Sequence, residues 1–267
     1  MAGDPRHPAA LGPAKLTTAL LSAGYRQRAY RLPVAEFKGD VRAASLETVQ
    51  RLAERVREVV SRGELPIVLA GSCDVAPGAL AGLRDERAGV IWIDAHADFN
   101  TPASSASGFW PGMALAVVVG DCGEEVWREL DWRPVSADRV ALLGTRCLSP
   151  LEESRRLAQS AVGVLRWREG APEEEVTTVL ERFATRVEHV YVHLDLDALD
   201  PSVGSGVVDP PVPGGLSARQ LIEILADIRR RFLVIGASVT TYTPARDDGS
   251  TLPVAVAAIR TLIDPEG

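Results

Sequence analysis

Two short segments carry residues whose types and spacing could do chemistry. In Gly89-Val-Ile-Trp-Ile-Asp-Ala-His-Ala-Asp-Phe-Asn100 an apolar run ends abruptly in Asp94, His96 and Asp98. In Tyr191-Val-His-Leu-Asp-Leu-Asp-Ala-Leu-Asp-Pro201 a second run ends in Asp195, Asp197 and Asp200. Alternating positions of an extended chain project the same way, so each run can aim several ligands at one point. In the second run that same-face series is His193, Asp195 and Asp197. Four or five carboxylates gathered at neighbouring strand ends repel one another and need a cation to coexist. Oxygen ligands with one imidazole suit Mn²⁺ or a similar divalent ion, and this many carboxylates suit two ions roughly 3.5–4 Å apart. Asp200, immediately before Pro201, reads instead as a turn former.

The elements that must position these residues alternate along the chain. Leu46, Val49, Leu52, Ala53, Val56, Val59 and Val60 repeat at helical spacing, and Ser217 can cap a second helix with Leu221, Ile222, Leu225 and Ile228 on its apolar face. Between such helices lie short apolar runs at Pro66–Ala70, Gly89–Ile93, Val140–Leu143, His189–Leu196 and Phe232–Val239. Strands buried on both faces read this way. The order predicts one α/β domain over residues 1–267, with a mainly parallel sheet covered by helices. Ligands of such sheets bind beyond the carboxyl ends of the strands, which is where the acidic segments fall.

Composition narrows the function classes. The 267 residues are 46% hydrophobic and 24% charged, with a net charge of −7. That balance argues against a nucleic-acid surface, which needs a basic stripe; the densest basic cluster, Arg229–Arg231, falls at a helix end, where it complements the helix dipole. No run approaches the roughly 18 apolar residues of a membrane span, and Met1–Pro13 has no signal-peptide core. Cys73, Cys122 and Cys147 show no CxxC spacing, so a reducing cytoplasm is the expected compartment.

The two acidic segments resemble the DAHxD and SxDxDxxDP signatures of the arginase–agmatinase (ureohydrolase) family. Gly12-Pro-Ala-Lys-Leu16, Leu69-Ala-Gly-Ser-Cys-Asp-Val75, Asp209-Pro-Pro-Val-Pro-Gly-Gly-Leu-Ser217 and Gly236-Ala-Ser-Val-Thr-Thr-Tyr-Thr-Pro244 are similar to further family motifs, so the likeness runs nearly end to end. The resemblance implies a three-layer αβα sandwich, a Mn²⁺ pair, and hydrolysis of a guanidino or amidino C–N bond of a small molecule by a metal-bridging hydroxide. It also implies a homo-oligomer, commonly a trimer or hexamer. By position Asp94 and Asp195 would bridge the ions. His96 and Asp197 would complete one shell, and Cys73 with Asp98 the other. Asp98 would also bond the attacking hydroxide. Asn100, Ser105 and Ser107 match positions that hold a substrate carboxylate.

Several positions depart from the family pattern. Cys73 stands where the family has a ligand histidine, and a thiolate prefers zinc or iron to Mn²⁺, so the ion there is expected to be weak, absent or replaced. Asp74 beside it should point elsewhere. Pro111 stands in place of a proton-relaying histidine, Thr241 in place of a glutamate that grips the guanidinium, Ser149 in place of an aspartate on the substrate amino group, and Cys147 in place of another aspartate. His193 is an addition where the family has serine. It could be a catalytic group alongside Asp98, support the metals from beneath, offset Cys73, or be a core histidine. His7 and His189 carry no signal. The leading expectation is a metallohydrolase acting on a less basic guanidine, such as an N-hydroxylated arginine. A non-catalytic binding or assembly member, and a zinc or iron hydrolase of another amide, are the alternatives.

Overall fold

Every strand of the sheet is short, apolar and flanked by helices, and all pair in parallel. The computed structural model describes residues 8–25, 28–33, 35, 38–148, 151–168, 173–207 and 212–264. Its strands are β1 (Ile67–Leu69), β2 (Gly89–Ile93), β3 (Val140–Leu143), β4 (Gly163–Leu165), β5 (His189–Asp195) and β6 (Leu233–Thr240), in the order β1-β6-β5-β2-β3-β4. The helices are α1 (Gly12–Ser22), α2 (Val41–Ser61), α3 (Ala76–Leu83), α4 (Ala114–Val119), α5 (Glu124–Leu130), α6 (Leu151–Gln159), α7 (Glu173–Ala184), α8 (Ala218–Arg231) and α9 (Thr251–Ile263).

Period-two alternation splits the strand side chains between two cores. Ile91, Ile93, Val190, Val192, Leu194, Ala237 and Val239 pack with α1, α7, α8 and α9. Val90, Trp92, Leu142 and Tyr191 pack on the opposite face with α2, α3, α4 and α6. This is the expected three-layer αβα sandwich, and within the described residues the sheet is wholly parallel. The five predicted strands form within a residue or two of their expected bounds. β4 was not anticipated: three residues at a sheet edge, partly exposed, have no period to detect. The helix expected around Leu46–Val60 runs from an N-cap at Asp40, whose carboxylate accepts from the Arg42 and Ala43 amides. Ser217 caps α8 in a reciprocal box with Gln220. In the last turn of α8, Arg230 and Arg231 pair with Asp227, as befits a helix end. Among the described residues, no helix is long and apolar enough to cross a membrane.

Candidate metal centre

β2 and β5 are neighbours in register, with Trp92 opposite His193 and Ile93 opposite Leu194, so their acidic ends emerge side by side. Asp94 is 1% exposed and Asp195 2%, at the mouth of the sheet. Each carboxylate is held by the turn that follows its strand. Asp94 Oδ1 accepts from the His96 amide (2.7 Å) and Oδ2 from Trp92 Nε1–H (3.0 Å). Asp195 Oδ1 accepts from the Asp197 amide (2.8 Å) and from the Thr241 hydroxyl (2.5 Å). Asp197 Oδ1 accepts from the Ala95 amide (3.1 Å), which ties the two turns together. Asp197 Oδ2 lies 2.8 Å from His96 Nδ1, a charge contact that is not an aligned hydrogen bond.

Two triads of metal-ligating atoms form among the described residues. Asp94, His96 and Asp197 place ligand atoms within 4.8 Å of one another, and so do Cys73, Asp94 and His193. The first holds three of the four residues expected around one ion, without the bridging Asp195. The second brings Cys73 together with His193, where Asp98 was expected beside Cys73. Asp98 has a φ of +48°, so the chain leaves strand alternation there and the same-face argument no longer fixes its direction. Its carboxylate is nevertheless buried, and Oδ2 has no hydrogen-bond partner. Its carbonyl accepts from the Leu115 and Ala116 amides, which anchors this strained residue to α4.

The electrostatics fit a cation. Burial first, then the Asp197 charge, lifts the Asp195 carboxyl to about 8. Burial and Asp94 lift Asp197 to about 6. Burial raises Asp94 and Asp98 too, with Asp195 adding to the first and Asp94 to the second. The Cys73 thiol is pushed well up by burial and the Asp195 charge, and it donates to Asp195 Oδ2 at 2.9 Å. Burial alone would lower His96, but Asp197 and Asp94 overcome it and raise the imidazole far above its ordinary range. A protonated His96 is thus a single charge set against four carboxylates. Among the described residues, three buried polar atoms of the centre, Asp98 Oδ2, Asp197 Oδ2 and His193 Nε2, lack a hydrogen-bond partner. Such atoms are rare in folded proteins, and a divalent ion would satisfy them.

The other candidates separate clearly. Thr241 is buried at φ +67°, and its hydroxyl is directed at Asp195 and the Thr240 carbonyl rather than outward. Ser105 and Ser107 lie on the loop after β2 with their hydroxyls 3.5 Å apart, accepting from the Gly108 and Phe109 amides. Asn100 is half-buried at the base of that loop, where Ser104 donates to its side-chain oxygen. Ser149 and His7 lie outside the described residues. Pro111 is buried at the start of a single 3-10 turn. Cys147 is half-buried, and its amide donates to the Ala95 carbonyl. Asp74 accepts from Ser45 of α2 (2.6 Å) and from Ser72, so its carboxylate is committed to α2 and to its own turn. His189 pairs with Asp85 at 2.7 Å, at the opposite end of β5. Asp200 is the turn former expected: its carboxylate accepts from Ser202, Gly214 and Gly215.

One organising residue escaped the sequence reading. Arg146 follows β3 and directs its guanidinium at the carbonyls of Gly144, Asp197, Ala198, Leu199 and Val212. It therefore clamps the turn that carries Asp197. A Cβ on Gly215 would come within 2.6 Å of this guanidinium and 2.5 Å of the Asp200 amide, so only glycine fits there. An arginine immediately beyond an apolar strand in a parallel sheet was the available signal.

Known proteins share this arrangement. A model of the Arginase family matches residues 1–264. The chain is 34% identical over 240 residues to an arginase of Bacillus caldovelox, covering 84% of this chain and 78% of that one. To an arginase of Bacillus subtilis (strain 168) it is 31% identical over 242 residues, covering 85% and 80%. The solved native arginase from Bacillus caldovelox has a TM-score of 0.82 at 29% identity and covers 98% of this chain and 95% of its own. With a family model matching nearly the whole chain and relatives above 30% identical over most of its length, the chain belongs to the arginase family.

Proposed function

We propose that the chain hydrolyses a C–N bond of a guanidino or amidino group on a small molecule, with two divalent cations held among Asp94, His96, Asp98, Asp195, Asp197 and Cys73. One observation carries this reading. Ligand atoms of Asp94, His96 and Asp197 converge within 4.8 Å, beside buried carboxylate oxygens of Asp98 and Asp197 that have no hydrogen-bond partner. When bound, such ions supply Lewis acidity that brings the pKa of water toward neutrality.

The chain's own groups do the rest. Trp92 Nε1–H and the Thr241 hydroxyl fix the carboxylates of Asp94 and Asp195, so ligand positions are set before substrate arrives. The Asp98 carboxylate has two oxygens, so one can hold a cation while the other accepts a proton from the attacking water and returns it to the departing nitrogen, a role that Pro111 cannot share. Ser105 and Ser107 accept backbone N–H groups, which leaves their hydroxyl protons available to a substrate carboxylate. We assign Asn100 to the same end of the substrate and Ser149 to its amino group. His193 is buried, and burial pushes its imidazole down to about 3, which favours a neutral ring over an acid–base catalyst.

The preferred substrate follows from Thr241. A neutral hydroxyl already committed to Asp195 offers no carboxylate to a guanidinium, so a less cationic head such as an N-hydroxyguanidine fits better than arginine. Assembly as a homotrimer or homohexamer and a cytoplasmic location accompany this reading, as family membership suggests. Full-length protein loaded with Mn²⁺ should release urea or hydroxyurea from at least one of arginine, agmatine, guanidinobutyrate and N-hydroxyarginine, fastest from the last. Release from none of them would remove the reading.

A further inference from the structure

The triad of Cys73, Asp94 and His193 contains one sulfur, one oxygen and one nitrogen donor, and all three residues are buried. His193 Nε2 is the informative atom. The residue is 0% exposed, yet among the described residues Nε2 has no hydrogen-bond partner. A histidine kept only for packing would pair that nitrogen, since leaving a buried polar atom unsatisfied costs its full desolvation. The rest of the ring is fixed with care. Trp92 stacks on it with centroids 3.7 Å apart and planes 22° from parallel. Nδ1 lies 2.6 Å from Ser238 Oγ, which also accepts from Tyr191 O–H at 2.7 Å. The Nδ1–Oγ contact accommodates either direction of donation; with Nδ1–H donating to Ser238, whose oxygen has two lone pairs and also accepts from Tyr191, Nε2 carries a lone pair that an ion would take up.

We infer that Cys73 Sγ, His193 Nε2 and Asp94 form a mixed sulfur–nitrogen–oxygen site that selects Zn²⁺ over Mn²⁺, with Asp195 beside it. The inference rests on the reading of Asp94 and Asp195 as metal ligands. Thiolate and imidazole donors favour a borderline-soft ion, and these three residues would hold it with the Asp195 carboxylate as their neighbour. The thiol proton that Cys73 now donates to Asp195 is released to solvent on binding. The Asp94–His96–Asp197 triad contains no sulfur and stays the harder site, so the two ions would differ in kind.

Chelator-treated full-length protein is titrated with Co²⁺ as a spectroscopic stand-in for zinc, then with Zn²⁺ in the presence of excess Mn²⁺. The wild type should show a thiolate-to-cobalt charge-transfer band in the near ultraviolet, with one equivalent of Zn²⁺ displacing it and Mn²⁺ failing to. Cys73→Ser should abolish the band. His193→Gln should keep a thiolate band but weaken zinc binding by more than about 100-fold, and Ser238→Ala by about 10- to 100-fold. Circular dichroism of each variant separates lost binding from lost fold, and the Ser238→Ala arm does not depend on removing a ligand. No band in the wild type, a band that survives Cys73→Ser, or zinc affinity unchanged in both folded His193→Gln and Ser238→Ala would overturn the inference. Hydrolysis plays no part in this readout. An intact band with no amidine hydrolysis would sink the proposed function alone, and active protein without the band would sink this site alone.

Discussion

Without cations, the acidic cluster should turn against the fold as pH rises. Burial, reinforced by the Asp197 charge, lifts the Asp195 carboxyl to about 8 from an ordinary 3.8. The folded chain holds a proton that the unfolded chain releases. The stability this adds is therefore complete below 3.8 and is lost as pH climbs through 8. Asp197, near 6 through burial and the Asp94 charge, acts with the same sign lower down, and the raised Asp94 and Asp98 add to it. His193 works the other way: burial lowers it from 6.5 to about 3, so its contribution is present above 6.5 and lost toward acid. His96, which burial alone would lower but Asp197 and Asp94 raise far above 6.5, keeps a proton that the unfolded chain releases above 6.5, so it deepens the fall in this interval, whereas Cys73 stays protonated in both states there. Between 6.5 and 8 the carboxylates and His96 therefore act in the same direction. At about 1.36 kcal/mol per pKa unit, Asp195 alone should remove about 2 kcal/mol. Urea unfolding of chelator-treated protein in half-unit pH steps measures it, and the midpoint should fall steadily. Saturating divalent cation should flatten the trend and raise the whole curve, because it binds the ionised ligands of the folded state only. A metal-free midpoint that is flat or rises with pH would refute the reasoning.

Three substitutions probe the supports of the site. Arg146→Lys keeps the charge but cannot span five carbonyls, so stability should fall by about 2–3 kcal/mol and divalent-cation affinity with it, read by urea unfolding and calorimetric titration. Asp200→Ala removes a carboxylate that accepts from Ser202 in its own turn and from the distant Gly214 and Gly215 amides; it should cost a similar amount of stability while leaving metal stoichiometry at the wild-type value by elemental analysis. Thr241→Val preserves shape at the strained φ but removes the donor to Asp195 Oδ1, and should weaken cation binding by about 1.5–3 kcal/mol.

Much of this architecture can be read from the chain, and the limits have physical causes. Asp94 ends a wholly apolar run and Asp195 a mostly apolar one, so period-two alternation aims both off the strand ends, and the parallel register of β2 and β5 brings them side by side. The same alternation fails at Asp98, where a left-handed residue breaks the strand geometry. Cys73 is conspicuous in the sequence, yet its partnership with His193 depends on β5 lying between β2 and β6. The Trp92 stack and the Ser238 contact arise from that lateral order, which no local pattern encodes. Arg146 was invisible for a similar reason, since its partners are backbone carbonyls from three separate segments. Asp200 was legible as a turn former because a carboxylate before proline caps nearby amides whatever the tertiary fold.

The central claim is that divalent cations, rather than basic side chains, neutralise the carboxylates at the ends of β2 and β5. Anomalous scattering from a crystal of the full-length protein grown with Mn²⁺ and Zn²⁺ tests it directly. The account predicts anomalous density within bonding distance of Asp94, shared on one side with His96 and Asp197 and on the other with Cys73 and His193. Well-ordered carboxylates with no anomalous density among them would contradict it.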